Sequence, residues 1–171
     1  SSPSGSGKTT LLRVITGLAE PCAGQVLVNG GVARELAYRH RVAAIFQDEP
    51  VGAGTIRAAI AGSAPIGLDA VWAAAARVGA DTPIRALPME MQTLIVEGPF
   101  PPSLLQPLLI ARALAQQPDL LILDEALGAL PYDRAEQVLE SLRAEGKLVI
   151  FACHDPRMVA LADTVLELVA G

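Results

Sequence analysis

The residues with the clearest chemical use stand at the start of the chain, in the run Ser4-Gly5-Ser6-Gly7-Lys8-Thr9-Thr10. Gly5 and Gly7 permit backbone dihedrals and close approaches that a side chain would block, and the N–H groups of a following helix would point at a bound anion. Lys8 supplies a cation for the terminal phosphates of a polyphosphate, and the Thr9 hydroxyl is a ligand for Mg²⁺. The run therefore predicts a cradle for a phosphate chain and its metal ion.

An apolar helix is predicted directly after this run. The apolar residues have the spacing of one face of a helix that begins near Lys8: Leu11, Leu12, Val14, Ile15 and Leu18. The order Gly-Lys-Thr before such a helix matches the P-loop pattern G-x-x-x-x-G-K-[ST], with Ser2 in the position of the first glycine. A flexible Ser/Gly linker is the alternative, but a linker has no need of an apolar helix directly behind it.

A short apolar run that ends in two carboxylates lies at Leu120-Leu121-Ile122-Leu123-Asp124-Glu125. Four consecutive large aliphatic residues indicate a central strand of a parallel sheet that is covered on both faces. Asp124 is predicted to orient Mg²⁺ through the ligands of the ion, and Glu125 to polarise a water for in-line attack on the γ-phosphate. The alternative is that these carboxylates cap a helix after the strand.

Alternating strands and helices must position these two motifs. Short apolar runs predict further strands of the same sheet at 26–28, 42–46, 148–152 and 165–168. Residues 133–145 predict an amphipathic helix, and residues 56–114 are mostly helical with breaks at Pro65, Pro83, Pro88 and 99–102. Trp72 is expected in the core of this helical part. The pattern predicts an α/β fold, namely a P-loop NTPase whose mostly parallel sheet is flanked by helices, with an inserted helical subdomain.

The composition limits the classes of function. The chain has 171 residues, 51% hydrophobic and 18% charged, as expected for a compact domain. Its net charge of −5 disfavours nucleic acid and anionic membrane surfaces as partners. The longest uncharged stretch, 98–111, contains four prolines and is shorter than the ~20 residues of a spanning helix. Two distant cysteines, Cys22 and Cys153, favour a reducing compartment, and we expect no secretory leader.

Two further motifs give the chain a family resemblance. Ile45-Phe46-Gln47-Asp48 is similar to the Q-loop of ABC transporter nucleotide-binding domains, and Val149-Ile150-Phe151-Ala152-Cys153-His154-Asp155 is similar to their H-loop. With the P-loop and the Asp124-Glu125 pair, these motifs make nearly the whole chain resemble such a domain of the exporter type. The stretches 54–57 and 87–98 are similar to those of peptide and bacteriocin exporters.

The resemblance implies that the chain binds and hydrolyses ATP with Mg²⁺. It implies catalytic roles for Glu125, His154 and Gln47, phosphate binding by the seven residues from Ser4 to Thr10, and metal binding by Thr9, Gln47 and Asp124. The position of His154 supports its role independently, because it follows an apolar strand at the carboxyl edge where open α/β sheets bind ligands. The alternative is a structural histidine that caps the next helix.

Two family motifs are altered in this chain. The signature Leu-Ser-Gly-Gly-Gln, which contacts ATP on the second domain of a head-to-tail dimer, corresponds here to Phe100-Pro101-Pro102-Ser103-Leu104. Prolines have no N–H groups for that contact, and Ser103 is expected at most to cap the following helix. The aspartate that normally follows Ser-Ala-Leu is Pro131. Both losses affect the partner's nucleotide, so we expect one half of an asymmetric, heterodimeric pair.

The expected organisation is a single, partial ABC-type ATP-binding domain over 1–171, with a RecA-like core at 1–54 and 115–171 and a helical subdomain at 55–114. The expected function is ATP hydrolysis that drives export, at the cytoplasmic face of the plasma membrane. The expected partners are a transmembrane domain, fused or separate, and a second nucleotide-binding domain, with no nucleic acid. The alternatives are a regulatory half with little hydrolysis, or a soluble ABC ATPase or P-loop kinase without a membrane partner.

Overall fold

A computed structural model describes residues 7–28, 31–32, 41–47, 49–95 and 102–168. The strands are β1 (Leu27–Val28), β2 (Gly31–Val32), β3 (Val42–Ile45), β4 (Gly54–Thr55), β5 (Leu94–Ile95), β6 (Leu120–Asp124) and β7 (Leu148–Ala152). The α-helices are α1 (Lys8–Ile15), α2 (Ile56–Ala61), α3 (Leu68–Arg77), α4 (Asp81–Arg85), α5 (Pro102–Ala115), α6 (Tyr132–Ala144) and α7 (Pro156–Val159). Short 3₁₀ helices span Glu90–Gln92 and Ala126–Ala129.

A parallel sheet in the order β3-β6-β7 carries the carboxylates predicted from sequence. Ile45 pairs with Leu123 and Asp124 pairs with Ala152, so the carboxyl ends of the three strands lie at one edge. All five residues of β6 are buried. This burial confirms the central strand that the unbroken aliphatic run predicts, since a strand covered on both faces has no polar side.

Helices cover both faces of this sheet. Leu12 of α1 packs with Leu120 and Ile122 on one face. Leu121 and Leu123 face the larger core on the other side, together with α5 and α6. This alternation is the period of two that a strand imposes on its side chains. The mostly parallel sheet with flanking helices is therefore confirmed.

The helical part between β4 and β6 packs around α5. Ile60 of α2, Val71 of α3 and Leu108 of α5 are fully buried in one core, and Trp72 packs against it as expected. The predicted helix break at Pro83 is wrong. Pro83 lies in the first turn of α4, where its missing N–H removes no helical hydrogen bond. In the described ranges, no helix is both long and apolar enough to cross a membrane.

One strand predicted for the main sheet lies in a separate sheet. The strand near 26–28 is β1, which pairs with β2 in a separate antiparallel sheet. The sequence between these strands is Asn29-Gly30, a strong hairpin signal, so local pairing outweighs pairing with the distant sheet.

The predicted strand at 165–168 does not form a ladder. Residues of this segment and of β7 line one groove of about 410 Å³, together with residues of α1. A strand forms only where a neighbouring backbone pairs with it, and 165–168 pairs with none of the described strands. The apolar composition of 165–168 was therefore not sufficient to predict its pairing.

Candidate functional site

The start of α1 is set by a glycine in the left-handed region. Gly7 is the N-cap residue of α1 with φ 82° and ψ 8°, a conformation that side chains disfavour. Its carbonyl accepts the Leu11 N–H at 2.8 Å, which closes the first turn. The first-turn N–H groups of a helix have no acceptors within it, so this end attracts anions. Ser4, Gly5 and Ser6 lie outside the described residues.

The next residues of α1 connect it to the sheet. The Thr9 hydroxyl donates to Asp124 Oδ2 at 2.5 Å, while Thr10 is exposed. Asp124 is only 1% exposed at the carboxyl end of β6. A hydroxyl and a carboxylate that share one hydrogen bond are oxygen ligands of the kind that Mg²⁺ prefers.

Glu125 follows β6 in an unusual backbone conformation. Its φ of 58° is left-handed, which is uncommon for a residue other than glycine and is concentrated at functional sites. Its N–H donates to the Ala152 carbonyl at 3.0 Å, and its side chain is 17% exposed. Although Glu125 precedes a 3₁₀ helix, its side chain makes no capping hydrogen bond, so the capping alternative is wrong for this residue.

His154 brings Lys8 and Glu125 together. Its Nε2 lies 3.4 Å from Lys8 Nζ and 3.1 Å from Glu125 Oε1. The approach to Glu125 is an ion-pair distance without hydrogen-bond alignment, so this buried carboxylate oxygen has no hydrogen-bond partner among the described residues. One ring nitrogen cannot accept from the ammonium and donate to the carboxylate at once. The three groups therefore form a cluster whose hydrogen bonds are not all satisfied together.

The loop after β7 holds His154 at this position. Asp155 is the N-cap residue of α7 and accepts the Arg157 N–H at 2.9 Å, so His154 is not the cap that the alternative required. The Arg157 guanidinium beside Asp155 lowers the pKa of that carboxyl. Cys153 Sγ accepts the Asp155 N–H at 3.4 Å, and burial raises the pKa of the thiol. His154 is thus presented by a loop anchored on both sides.

Gln47 lies at the same edge but is not joined to the cluster. It comes two residues after the end of β3, whose partner β6 ends in Asp124. Its side chain is exposed and makes no hydrogen bond to the described residues. The structure thus brings Lys8, Thr9, Asp124 and the Glu125-His154 pair together, with Gln47 near the end of a neighbouring strand.

The altered signature lies at the start of α5. Phe100 and Pro101 are outside the described residues, and α5 begins at Pro102. Ser103 is therefore inside the first turn, and the expectation that it caps the helix is wrong. Proline is favoured at the first helical position, so the helix starts at Pro102, two residues before the start that a cap at Ser103 would require. Pro131 is exposed and is the N-cap residue of α6.

Sequence reasoning missed contacts that support the segment with Gln47. Arg112 Nη1 of α5 lies 3.7 Å from Glu49 Oε1, and the Arg13 guanidinium lies 5.4 Å from the centre of the Phe46 ring. No local sequence pattern predicts either contact, because each arginine is distant in sequence from its partner. Only the position of Glu49 two residues after Gln47 could have drawn attention to it.

Comparisons with known proteins show the family to which this chain belongs. A family profile described as ABC transporter matches residues 3–128. The chain is 32% identical to the probable microcin-H47 secretion/processing ATP-binding protein MchF of Escherichia coli, over 96% of this chain and 24% of that protein. It is 37% identical to the molybdenum import ATP-binding protein ModC of Aromatoleum aromaticum, over 98% of this chain and 47% of that protein.

A solved structure described as a bacterial Atm1-family ABC exporter with ATP bound superimposes with a TM-score of 0.81 at 27% identity. The match covers 95% of this chain and 30% of that chain. The chain thus spans about a quarter to a half of the length of these relatives. With the family profile matching most of its residues, the chain belongs to the ABC transporter family and is one of its ATP-binding, ATPase-type domains.

Proposed function

We propose that this chain binds Mg²⁺-ATP at the carboxyl edge of the sheet and hydrolyses it. The observation that carries the proposal is the convergence of three elements at that edge. Lys8 and Thr9 come from the start of α1, Asp124 and Glu125 from the end of β6, and His154 from the loop after β7, with hydrogen-bond or ion-pair distances between them.

The phosphate chain would lie against the start of α1, where the helix dipole and the Lys8 ammonium offer positive charge. Lys8 Nζ is 3.4 Å from His154 Nε2, and it would turn toward phosphate oxygens because these are charged acceptors, which form strong hydrogen bonds with an ammonium. The proposed phosphate-binding residues are Ser4, Gly5, Ser6, Gly7, Lys8, Thr9 and Thr10.

The donors near β6 suit Mg²⁺, because the Thr9 hydroxyl and the Asp124 carboxylate are hard oxygen ligands within 2.5 Å of each other. Thr9, Gln47 and Asp124 would hold the ion, directly or through water. When bound, Mg²⁺ would neutralise charge that develops on the phosphates. Asp124 would keep the Thr9 hydroxyl oriented, since it is buried and cannot exchange this partner for bulk water.

Glu125 would act as the base for hydrolysis. Its Oε1 is buried without a hydrogen-bond partner among the described residues, so it is available to accept the proton of an attacking water. The water oxygen forms a bond to the γ-phosphorus as the bond to the β-phosphate oxygen breaks, which gives ADP and phosphate. His154 would contact the γ-phosphate and keep Glu125 in place.

Replacement of Glu125 by Gln tests this proposal in the intact protein. The amide keeps the size of the side chain but cannot take the proton, so kcat should fall by at least about 100-fold while Mg²⁺-ATP binding persists. Glu140→Gln, on the exposed face of α6, is the matched control. Near-normal turnover of Glu125→Gln would refute the assignment. Binding without turnover in the unaltered protein would instead favour the regulatory alternative.

We further propose that the chain is a single, partial ATP-binding domain in which 1–54 and 115–171 form the core and 55–114 the helical subdomain. The contacts of α2 and α3 with α5 support this division, since they form one packed unit beside the sheet. A transmembrane domain, fused or separate, would be the partner that couples hydrolysis to export at the cytoplasmic face of the plasma membrane. The similarity to secretion and exporter proteins supports this direction. Purification of the intact protein from membranes with its bound subunits would test it.

A second nucleotide-binding domain with a different sequence would complete the site. The prolines of the altered signature, including Pro102 at the start of α5, lack the N–H groups with which the family contacts a partner's nucleotide. Pro131, the N-cap residue of α6, replaces an aspartate on the surface that serves the partner's site. This chain's own nucleotide would then be the one hydrolysed, and its partner's nucleotide would turn over slowly. In the reconstituted pair, Glu125→Gln should abolish turnover, whereas the equivalent substitution in the partner should not. The reverse pattern, or an active homodimer, would overturn this proposal.

A further inference from the structure

The segment that carries Gln47 is a tight turn at the end of β3. The Glu49 N–H donates to the Phe46 carbonyl at 3.1 Å, and Gln47, between them, is itself in a turn. The backbone of Gln47 lies between these two residues. Contacts that hold Phe46 and Glu49 therefore limit where the backbone of Gln47 can move.

One arginine contacts each end of this turn. The Arg13 guanidinium, from α1, lies over the Phe46 ring with its carbon 5.4 Å from the ring centre. The Arg112 guanidinium, from the last turn of α5, lies 3.7 Å from the Glu49 carboxylate. The turn is thus connected to the helix that begins with Lys8 and to the helix at the centre of the helical part.

Arg112 lies on a helix whose neighbouring residues are buried. Leu108 and Ile110 on the same helix are fully buried, so its backbone is part of the core. Its side chain crosses the end of α2 at Gly62, where a Cβ would lie 3.1 Å from Arg112 Nε. Gly62, with φ 58°, leaves the room that the guanidinium needs to reach Glu49.

We propose that Arg112 is a positioning residue for Gln47, acting through the carboxylate of Glu49. The proposal rests on the proposed role of Gln47 at the metal and the attacking water. Arg112 touches neither nucleotide nor metal in this arrangement. Its effect is to fix the last residue of the turn to a helix of the core. The pair is partly exposed, at 39% and 31% for the two side chains, so its contribution to overall stability is small.

A charge-swap experiment in the intact protein separates positioning from stability. The variants are Arg112→Glu, Glu49→Arg, the double variant, and Gln47→Ala as the reference. Either single reversal should lower kcat by about fivefold with little change in KM for ATP, because binding is retained and alignment is lost. The double variant should recover to within about twofold, since the swapped charges can pair again. Arg112→Glu added to Gln47→Ala should lower kcat no further.

Hydrogen exchange supplies a readout that does not need turnover. Exchange of the Glu49 amide, whose acceptor is the Phe46 carbonyl, should quicken in either single variant and return toward the original rate in the double variant. Arg143→Glu is the matched control, because it breaks the exposed ion pair with Asp163 on another part of the surface. It should change neither kcat nor exchange at Glu49.

The proposal is overturned if the double variant stays as slow as the singles, if Arg112→Glu and Gln47→Ala add fully, or if exchange at Glu49 is unchanged. Two other results would instead refute the proposed role of Gln47. They are an absence of nucleotide binding in the unaltered protein and full turnover in Gln47→Ala. In that case the exchange rates still show whether Arg112 holds the turn, and unchanged rates would refute even that.

Discussion

The Thr9 hydroxyl and the Asp124 carboxylate, 115 positions apart in sequence, are joined by a 2.5 Å hydrogen bond. The bond connects the first turn of α1 to the end of the central strand β6. Because Asp124 is buried, the bond is protected from water, and it is stronger than a bond between neutral groups. The two motifs predicted separately from sequence are therefore one unit.

This unit predicts different outcomes for two substitutions of Thr9. Thr9→Val keeps the shape but removes the hydroxyl, which leaves Asp124 buried without this donor. The Mg²⁺ concentration needed for half-maximal ATP binding should rise by about 10-fold to 100-fold. Thr9→Ser keeps the hydroxyl, so the Mg²⁺ concentration needed for half-maximal ATP binding should stay near that of the unaltered protein. Titration of ATP binding with Mg²⁺ measures both, and equal behaviour of the two variants would contradict a metal role for the hydroxyl.

Much of this site could be predicted from the sequence because its signals are local. The helix that begins at Lys8 and the buried strand that ends at Asp124 follow from periodicity and from an unbroken aliphatic run. The exception is the loop at His154, where the sequence left open whether histidine caps the next helix. The structure resolves this because Asp155 satisfies the helix start.

Other features depend on partners that a local pattern does not contain. Residues 165–168 have strand composition, but a strand needs a neighbouring backbone, and this segment pairs with none of the described strands. The ion pair between Glu49 and Arg112 joins a turn to a helix far along the chain. Such pairs become visible only when the fold brings the elements together.

Lys8 should be required for nucleotide binding. Its ammonium is the cation at the start of α1, and Lys8→Ala removes the main charge contact proposed for the phosphates. Affinity for Mg²⁺-ATP should fall by at least about 100-fold, on the scale of a charged hydrogen bond. Lys8→Arg keeps the charge but replaces a compact ammonium with a planar fork, so it should restore binding only partly. Calorimetry measures both constants, and tight binding by Lys8→Ala would refute the phosphate cradle.

His154 should affect turnover more than binding. Its Nε2 lies 3.4 Å from the Lys8 ammonium and 3.1 Å from Glu125. His154→Ala removes both contacts, and the Lys8 ammonium could then pair with the Glu125 carboxylate, which would occupy the proposed base. We expect kcat to fall by about 100-fold or more with a much smaller change in ATP affinity. Thermal stability should change little because the imidazole is 54% exposed, and a large loss of folding would point to a structural role instead.

Asp119, at the opposite edge of the sheet, should make the stability of the fold depend on pH. Asp119 accepts a hydrogen bond from Lys147 Nζ at 3.0 Å and another from Arg41, and these bonds lower the pKa of its carboxyl below the ordinary value of 3.8. A lowered folded-state pKa adds stability above the unfolded-state pKa, and this stability is lost as the pH falls through the folded-state value.

Asp119→Asn removes this contribution, so its unfolding temperature should be lower than that of the unaltered protein by a constant amount from about pH 5 to 7. The difference should shrink below about pH 4, where protonation removes the charge of the original carboxylate. Asp69→Asn, exposed in the first turn of α3, is the control for loss of a carboxylate elsewhere. Calorimetry between pH 3 and 7 gives the comparison, and a difference that grows on acidification would contradict the direction of the Asp119 shift.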